Sequence, residues 1–200
     1  MRYILAFLFL AFTCLLAEAP DSARVKINQR NTLFHRASSA FNINVTYLKA
    51  IVFVERLSNF DWTDDALDII FAKAGRNSSI GFCQVKIKTA YWIEKQLSDS
   101  TSAFFPGKAY SNVMAVSKSP AELMDKLNND TLNIRYAAGY LRIMQTFWEK
   151  AGFPIDDRPD VLGTLYSTGM FHPTGELRKP NENPKSNRFG KLVLKYLELF

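Results

Sequence analysis

Apolar residues recur at intervals of three and four through most of this chain of 200 residues, whereas apolar and polar residues hardly ever alternate. The clearest stretch is 131–150, which carries apolar side chains on several sides and therefore predicts a central, mostly buried helix. The pattern predicts a mostly α fold with at most a short β-hairpin. A chain of this length can bury a core of its own, so we expect a single domain.

Capping residues define the ends of the predicted helices. Ser119 is the strongest start, because Pro120 occupies the first turn and Glu122 the capping-box position. The predicted helices cover 44–58, 63–75, 89–97, 119–128, 131–150, 159–167 and 188–199. The remaining segments are predicted to be exposed loops at 98–118 and 172–186, and a loop with room for a short hairpin at 77–88.

The N-terminal residues have the composition of a secretory signal peptide. Arg2 is followed by an apolar run that extends to Leu16 and is too short to span a bilayer comfortably, and Ala19 offers a small residue for cleavage. The sequence therefore predicts a signal peptide at 1–19, a single domain at 20–200, and a periplasmic or secreted location.

Cysteine and histidine are scarce, which limits the chemistry that the chain can perform. Once Cys14 is removed with the signal peptide, Cys83 is the only cysteine, so no internal disulfide is expected. A thiol nucleophile would need His35 or His172, but the apolar context of Cys83 predicts a buried, inert thiol. We therefore expect no metal ion and no cofactor. Cys14 leaves an outer-membrane lipoprotein open as an alternative, although the residues before it do not form a lipobox.

The chain is moderately basic. It carries 25 Lys and Arg against 19 Asp and Glu, a net charge of +6. A basic excess favours polyanionic partners such as nucleic acid, an anionic membrane or a cell-wall polymer, and it is equally compatible with simple solubility. Nucleic acid conflicts with the export signal, so we expect no nucleic-acid partner.

Glu55 is the most unusual polar residue of the predicted helices. It follows Leu48 by seven positions and Ile51 by four, so it projects from an apolar helix face. Apolar surroundings raise the pKa of a carboxyl group, which suits a general acid near neutral pH. The alternative is a partly solvated residue at the helix end that pairs with a cation.

Several short motifs follow Glu55 along the chain. They are Ser79 and Gly81-Phe82-Cys83-Gln84-Val85, then Asn133-Ile134 with Ala138-Gly139-Tyr140-Leu141, and finally Leu165-Tyr166-Ser167-Thr168-Gly169. This ordered set resembles the lysozyme-like lytic transglycosylases, a family related in fold to the goose-type lysozymes, over about residues 40–196. Each motif is weak alone, and their order and spacing carry the resemblance. It implies that 20–200 is a lysozyme-like catalytic domain.

The resemblance implies a role for each matched residue. Glu55 would be the general acid/base, and Tyr166 would hydrogen-bond to its carboxyl group and orient it. Gln84 would line the sugar cleft, and Gly81 would let the backbone approach the glycan closely. The remaining substrate-binding positions would be Ser79, Tyr140 and Ser167. Purely structural roles stay open for Tyr166 as a core residue, Gln84 as a strand-end residue and Gly81 as a turn residue.

The chain departs from the family pattern near the proposed acid and in the cleft. The family's Glu is usually followed at once by Ser, whereas Arg56-Leu57 intervene here before Ser58. The family's Leu-Met pair is Phe82-Cys83, and Ser167 replaces the Asn that follows the tyrosine. The segment 59–76 is also longer and more acidic than the minimal linker of the family. These differences bear on substrate detail more than on the fold.

The number of carboxyl groups distinguishes two kinds of glycan cleavage. Hydrolysis normally uses two, but the segment 74–79 before Gly81 contains no acidic residue. The nearest acids lie mostly on or beside a predicted helix N-terminus, where capping explains them: Asp61, Asp64, Asp65 and Asp68. We therefore favour the route that the resemblance implies, in which Glu55 alone acts as acid and then as base and a 1,6-anhydro product forms.

Three other functions remain open. A lysozyme-type muramidase would hydrolyse the same bond with Asp61 or Asp68 assisting. A non-catalytic protein of the same fold would bind glycan as an assembly factor of an envelope-spanning machine, which would be an additional partner. For these two, as for the transglycosylase, we expect a monomer whose partner is the glycan strand of peptidoglycan. The third is a helical periplasmic binding or adaptor protein with no glycan role, in which the motif matches arise by chance. Secondary candidates for sugar stacking are Trp62, Tyr91, Trp92 and Tyr110, and for attracting anionic stem peptides Lys179, Lys185, Arg188, Lys191 and Lys195.

Overall fold

The computed structural model describes residues 18–58 and 79–200. Within these ranges the fold is mostly helical with a single two-stranded hairpin, which confirms the predicted class. The elements are, in chain order, α1 (Pro20–Gln29), α2 (Asn31–Phe41), α3 (Val45–Ser58), β1 (Ser79–Ile80), β2 (Val85–Lys86), α4 (Ile87–Ser98), α5 (Pro120–Asn128), α6 (Asp130–Lys150), α7 (Pro159–Thr168) and α8 (Arg188–Tyr196).

Two predicted helix starts are confirmed in atomic detail. Asn44 caps α3, because its side-chain oxygen accepts hydrogen bonds from the backbone N–H groups of Thr46 at 2.9 Å and Tyr47 at 3.3 Å. Ser119 caps α5 by accepting from the N–H of Glu122 at 3.2 Å. Each bond satisfies an N–H group that has no partner inside the helix, so these caps fix where the helices begin.

The structure differs from the predicted helices mainly at the chain ends. Helices α1 and α2 were not predicted, and they pack on α3. The last helix ends at Tyr196 and continues as a 3₁₀ turn over Leu197–Leu199, whereas one helix to 199 was predicted. The predicted helix at 63–75 lies outside the described residues.

Helix α6 is the centre of the fold, as its sequence predicts. It is 21 residues long and is buried almost continuously between Asn133 and Thr146. It contacts α2, α4, α5 and α7, and the last three carry or flank the hairpin and the loops around it. Gly139 lets α2 approach, since a Cβ atom there would lie 3.1 Å from the ring of Phe41. A rigid central helix therefore supports the elements that surround the cavity described below.

No helix in the ranges 18–58 and 79–200 has both the length and the apolar character needed to cross a membrane.

Candidate active site

A cavity of about 360 Å³ lies where the end of α3 meets the hairpin, α6 and the end of α7. A volume of this size is typical of ligand-binding sites in proteins. Six of the seven site residues predicted from the sequence line it: Glu55, Ser79, Gln84, Tyr140, Tyr166 and Ser167. They come from α3, β1, the hairpin turn, α6 and α7, so the fold gathers side chains that are far apart in the sequence.

Glu55 lies in the last turn of α3, half-buried at the cavity wall. The helix before it is buried at every position from Leu48 to Val54, which holds the last turn in place. The charge of Glu55 also acts on two neighbours: together with the larger effect of burial, it raises the pKa of the Tyr166 hydroxyl and of the Cys83 thiol. The carboxylate therefore lies close to both groups.

Tyr166 does not donate to the carboxylate as the resemblance implies. Its hydroxyl donates to the backbone carbonyl of Cys83 at 2.8 Å. A tyrosine hydroxyl has one proton, and this bond uses it, so the predicted donation to Glu55 is replaced by a bond to the hairpin turn. The ring still lines the cavity, 6.0 Å from the ring of Tyr140 between centroids. Tyr166 thus joins α7 to the hairpin beside Glu55.

Gln84 ends the hairpin turn in an uncommon backbone conformation. Its φ angle is +52°, and Asn42 is the other described non-glycine residue with a positive φ. Its backbone N–H donates to the Gly81 carbonyl at 3.0 Å, and its side-chain amide donates to the same oxygen at 3.1 Å. A left-handed conformation costs a side-chain-bearing residue about 1–2 kcal/mol, so these bonds hold Gln84 against local strain at the cavity wall.

Gly81 is the one predicted site residue that does not line the cavity. Its φ angle is +75°, and a Cβ atom would lie 2.5 Å from the side-chain nitrogen of Asn133 and closer still to the carbonyl of Leu127. The position therefore requires glycine so that the hairpin can pack against the start of α6. The predicted role of approaching the glycan is replaced by a packing role.

Asn133 is a residue whose importance the sequence interpretation missed. It is fully buried, and its amide nitrogen donates to the carbonyls of Ile80 and Leu127, each at 2.9 Å. Its side-chain oxygen accepts from the N–H of Cys83 at 2.6 Å. Asn133 thus ties the hairpin to α6 at two positions, Ile80 and Cys83. The available signal was an amide inside an otherwise apolar helix, since a buried polar side chain needs partners.

Arg56 fixes the same turn from the side of α3. Only 1% of this side chain is exposed, and it donates to the Phe82 carbonyl at 3.2 Å while its guanidinium lies 4.2 Å from the centre of the Phe82 ring. It also forms an ion pair with Glu18 at 2.6 Å. Arg30 covers the same ring at 4.3 Å. Because Arg56 directly follows Glu55, these contacts also anchor the last turn of α3.

Among the described residues, Glu55 is the only carboxylate that lines the cavity. Another acid, Glu94, is linked to the wall through Tyr136, but it is fully buried and is bound by the Tyr136 hydroxyl, Ser117 and Lys126. It is therefore not available to activate water. The acids considered for hydrolysis, such as Asp61 and Asp68, and the stacking candidate Trp62 lie outside the described residues.

Cys83 is fully buried, and burial raises the pKa of its thiol far above the ordinary value. This agrees with the expectation of an inert thiol, because the reactive form is the thiolate. Among the described residues, no group of three or more His, Cys, Asp or Glu side chains is arranged to hold a metal ion.

The chain was compared with protein-family models, with curated proteins and with solved structures, and none of them matched it. The functional interpretation therefore depends on the residues and the geometry of the cavity.

Proposed function

We propose that the protein is an exported peptidoglycan lytic transglycosylase. It would cleave the β-1,4 bond between N-acetylmuramic acid and N-acetylglucosamine and form a 1,6-anhydro-muramyl product. The observation that carries the proposal is the convergence of six residues, predicted from separate motifs, on one cavity. Motifs that follow one another in a given order along a chain need not lie together in the folded protein. Their convergence on one cavity therefore supports the proposal in addition to the sequence resemblance. The proposed location is periplasmic or secreted, on the basis of the N-terminal segment 1–19.

Glu55 is the proposed acid and base. It is half-buried at the cavity wall, which limits its contact with water without excluding a substrate. In its protonated form it donates a proton to the glycosidic oxygen, and the leaving sugar departs as an alcohol. The substrate's own N-acetyl oxygen stabilises the anomeric carbon as the bond breaks. The Glu55 carboxylate then accepts the proton of the muramyl 6-hydroxyl, whose oxygen bonds to the anomeric carbon and closes the anhydro ring.

The described part of the cavity is compatible with this single-carboxylate route. An inverting hydrolase places a second carboxylate about 6.5–9.5 Å from the acid to activate water. Among the described residues, no second carboxylate lines the cavity. The other predicted residues that line the cavity include neutral hydroxyl and amide groups, from Tyr140, Ser167 and Gln84, which can bind sugar hydroxyls and the N-acetyl group.

Digestion of purified peptidoglycan, followed by mass spectrometry of the released fragments, tests the proposal. We expect the wild-type protein to release fragments with 1,6-anhydro ends, which are lighter by one water than fragments with reducing ends. Glu55→Gln should lower the rate on the order of 10²–10⁴-fold, the usual contribution of a general acid/base. Glu149→Gln, at an exposed position of α6, is the matched control and should keep full activity.

Each other result has a defined meaning. Reducing ends in place of anhydro ends would show that the enzyme is a hydrolase. If the wild-type protein binds the glycan but releases nothing, the proposal of an enzyme is wrong and a glycan-binding assembly factor takes its place. Full activity of Glu55→Gln would overturn the assignment of the acid.

A further inference from the structure

A second cavity, of about 220 Å³, adjoins the cavity that contains Glu55. It lies between the first turns of α4, the middle of α6 and the segment that follows α7. Thr89, Tyr140 and Gly169 line both cavities, so the two share a wall. A ligand that is longer than the first cavity can therefore continue into the second.

The wall between the two cavities is held in place from both α6 and the segment after α7. Tyr140 is 7% exposed, and its hydroxyl forms a hydrogen bond with the backbone of Met170. The side chain of Arg178 donates to the Gly169 carbonyl at 3.1 Å, and its backbone N–H donates to the Met170 carbonyl at 2.9 Å. The segment after α7 is therefore fixed at the point where it borders both cavities.

Phe171 places an exposed aromatic ring in the second cavity. This residue is 41% exposed, and its backbone pairs with Leu177 in an isolated antiparallel bridge. Its ring lies 6.4 Å from the ring of Trp92, at an interplanar angle of 89°, and 6.1 Å from the ring of Phe104. A single exposed apolar side chain is ordinary on a protein surface, but this ring is held by its neighbours and lines a cavity that adjoins Glu55.

The second cavity is lined mainly by uncharged groups. Among the described residues, Lys88 is the one charged side chain that lines it. The aromatic residues Trp92, Tyr140 and Phe171 supply apolar surface, and Thr89 supplies a hydroxyl group. A sugar ring matches this combination, because its C–H groups form an apolar face and its hydroxyl groups lie along its edge.

We propose that the second cavity is a subsite for a sugar ring, which stacks on Phe171. The sugar belongs to the same glycan strand as the bond that Glu55 cleaves, because the two cavities share a wall. This inference rests on the proposed function for the identity of the ligand. Trp92, a stacking candidate from the sequence, contacts Phe171 at a right angle and helps to hold its ring. Phe171 itself is not part of any of the sequence motifs.

Titration calorimetry with glycan fragments of two lengths tests the subsite in the full-length mature protein. The probes are peptide-free peptidoglycan fragments of two and of four sugars, and the protein carries Glu55→Gln so that it does not cleave them. We expect the four-sugar fragment to bind more tightly, since only the longer fragment can fill both cavities. Adding Phe171→Ala should weaken binding of the four-sugar fragment roughly tenfold, as the loss of one stacking contact implies, and leave the two-sugar fragment unchanged.

Two further variants separate stacking from a structural effect. Phe153→Ala is the matched control, because Phe153 is also an exposed phenylalanine and lines neither cavity, so binding of both fragments should not change. Phe171→Tyr keeps the face of the ring and should keep the affinity for the four-sugar fragment. Equal losses for both fragments in Phe171→Ala would show that the ring acts on the Glu55 cavity as a whole, and would overturn a separate subsite.

The outcomes separate this inference from the proposed function. If the wild-type protein cleaves peptidoglycan but Phe171→Ala binds the four-sugar fragment as tightly as Phe153→Ala does, the subsite is wrong and the proposed function stands. The subsite is also wrong if the four-sugar fragment binds no more tightly than the two-sugar fragment. If Phe171→Ala weakens binding of a free stem peptide in place of the four-sugar fragment, the assignment to a sugar is wrong. If glycan binding depends on Phe171 as expected but the wild-type protein cleaves nothing, the proposed enzyme fails and the sugar subsite stands.

Discussion

The carboxamide of Asn133 binds three backbone groups that belong to two separate segments, the hairpin and the end of α5. This arrangement requires one buried side chain that donates two hydrogen bonds and accepts a third. Among side chains of this size only asparagine can do both. The residue is a scaffold for the cavity: it does not line it, but it holds the turn that carries Gln84.

The substitution Asn133→Asp tests this role of Asn133, because it hardly changes the volume of the side chain. The substitution replaces the donating nitrogen with an oxygen that faces the carbonyls of Ile80 and Leu127, so two hydrogen bonds are lost and acceptors oppose each other. We expect the free energy of unfolding to fall by about 3 kcal/mol or more, measured by urea denaturation. Asn112→Asp, at an exposed position, is the control. Equal stability of the two variants would contradict the role given to Asn133.

At the scale of the element, the hairpin is held from three sides. Asn133 binds it from α6, Tyr166 from α7 and Arg56 from α3. A hairpin with two residues in each strand has little stability of its own. Its conformation therefore depends on these contacts, and so does the position of Gln84 in the wall of the cavity that Glu55 also lines.

Gly81→Ala tests how tightly the hairpin packs. Its backbone has φ of +75°, and the added methyl group would meet Asn133 at 2.5 Å. Gly152→Ala is a matched control, because its φ of +84° imposes similar backbone strain but nothing lies within 4 Å of the added atom. We expect Gly152→Ala to lower the free energy of unfolding by about 1 kcal/mol, and Gly81→Ala by at least about 2 kcal/mol more. Similar losses in urea denaturation would show that the hairpin is loosely packed.

The contact between α3 and the segment before α1 affects the hairpin turn, because it involves Arg56, which binds that turn. Glu18 pairs with buried Arg56 at 2.6 Å and with Lys26 at 2.6 Å. Burial alone would raise the pKa of Glu18, but the bonds from Lys26 and the charge of Arg56 outweigh it and hold the pKa below its ordinary value. Cleavage after Ala19, as the sequence predicts, would remove this partner, whereas cleavage after Ala17 would retain it.

We therefore expect a protein that begins at Glu18 to be more stable than one that begins at Pro20. Removing one partner of a buried ion pair costs about 3 kcal/mol, measured here as the difference in free energy of unfolding at pH 7. Because the pKa of Glu18 is lowered in the folded state, this advantage is complete above the ordinary pKa of the carboxyl and is lost as the pH falls through the folded-state value. A constant difference between the two proteins down to pH 2 would contradict this ion pair.

For the whole molecule, the sequence predicts most elements that carry a strong cap or a continuous apolar face. Helix α5 begins where Ser119 indicates, and α6 is buried as its composition predicts. Helix α1 escaped prediction because only Ala23 and Ile27 are buried among polar and charged neighbours. Its stability comes from contact with α3, which a local pattern does not contain.

The candidate site, too, is predicted in part from the sequence and depends in part on contacts that the sequence does not show. Motif order predicts which residues gather around Glu55, and six of seven line one cavity. It does not predict the acceptor of Tyr166 or the packing role of Gly81, because both depend on contacts with segments distant in the sequence.

The alkaline stability of the whole molecule should depend on Cys83. Burial raises its thiol pKa in the folded state, so above about pH 8.5 the unfolded chain releases a proton that the folded protein keeps. The contribution of the thiol is therefore complete below pH 8.5 and declines as the pH rises further. We expect the free energy of unfolding of the wild-type protein to fall between pH 8.5 and 9.5 with a slope that includes about 1 kcal/mol per pH unit from this group. Cys83→Ala should lack that part of the slope, although the lost volume lowers its stability at every pH. Identical slopes in urea denaturation would show that the thiol ionises equally in both states, which its complete burial does not allow.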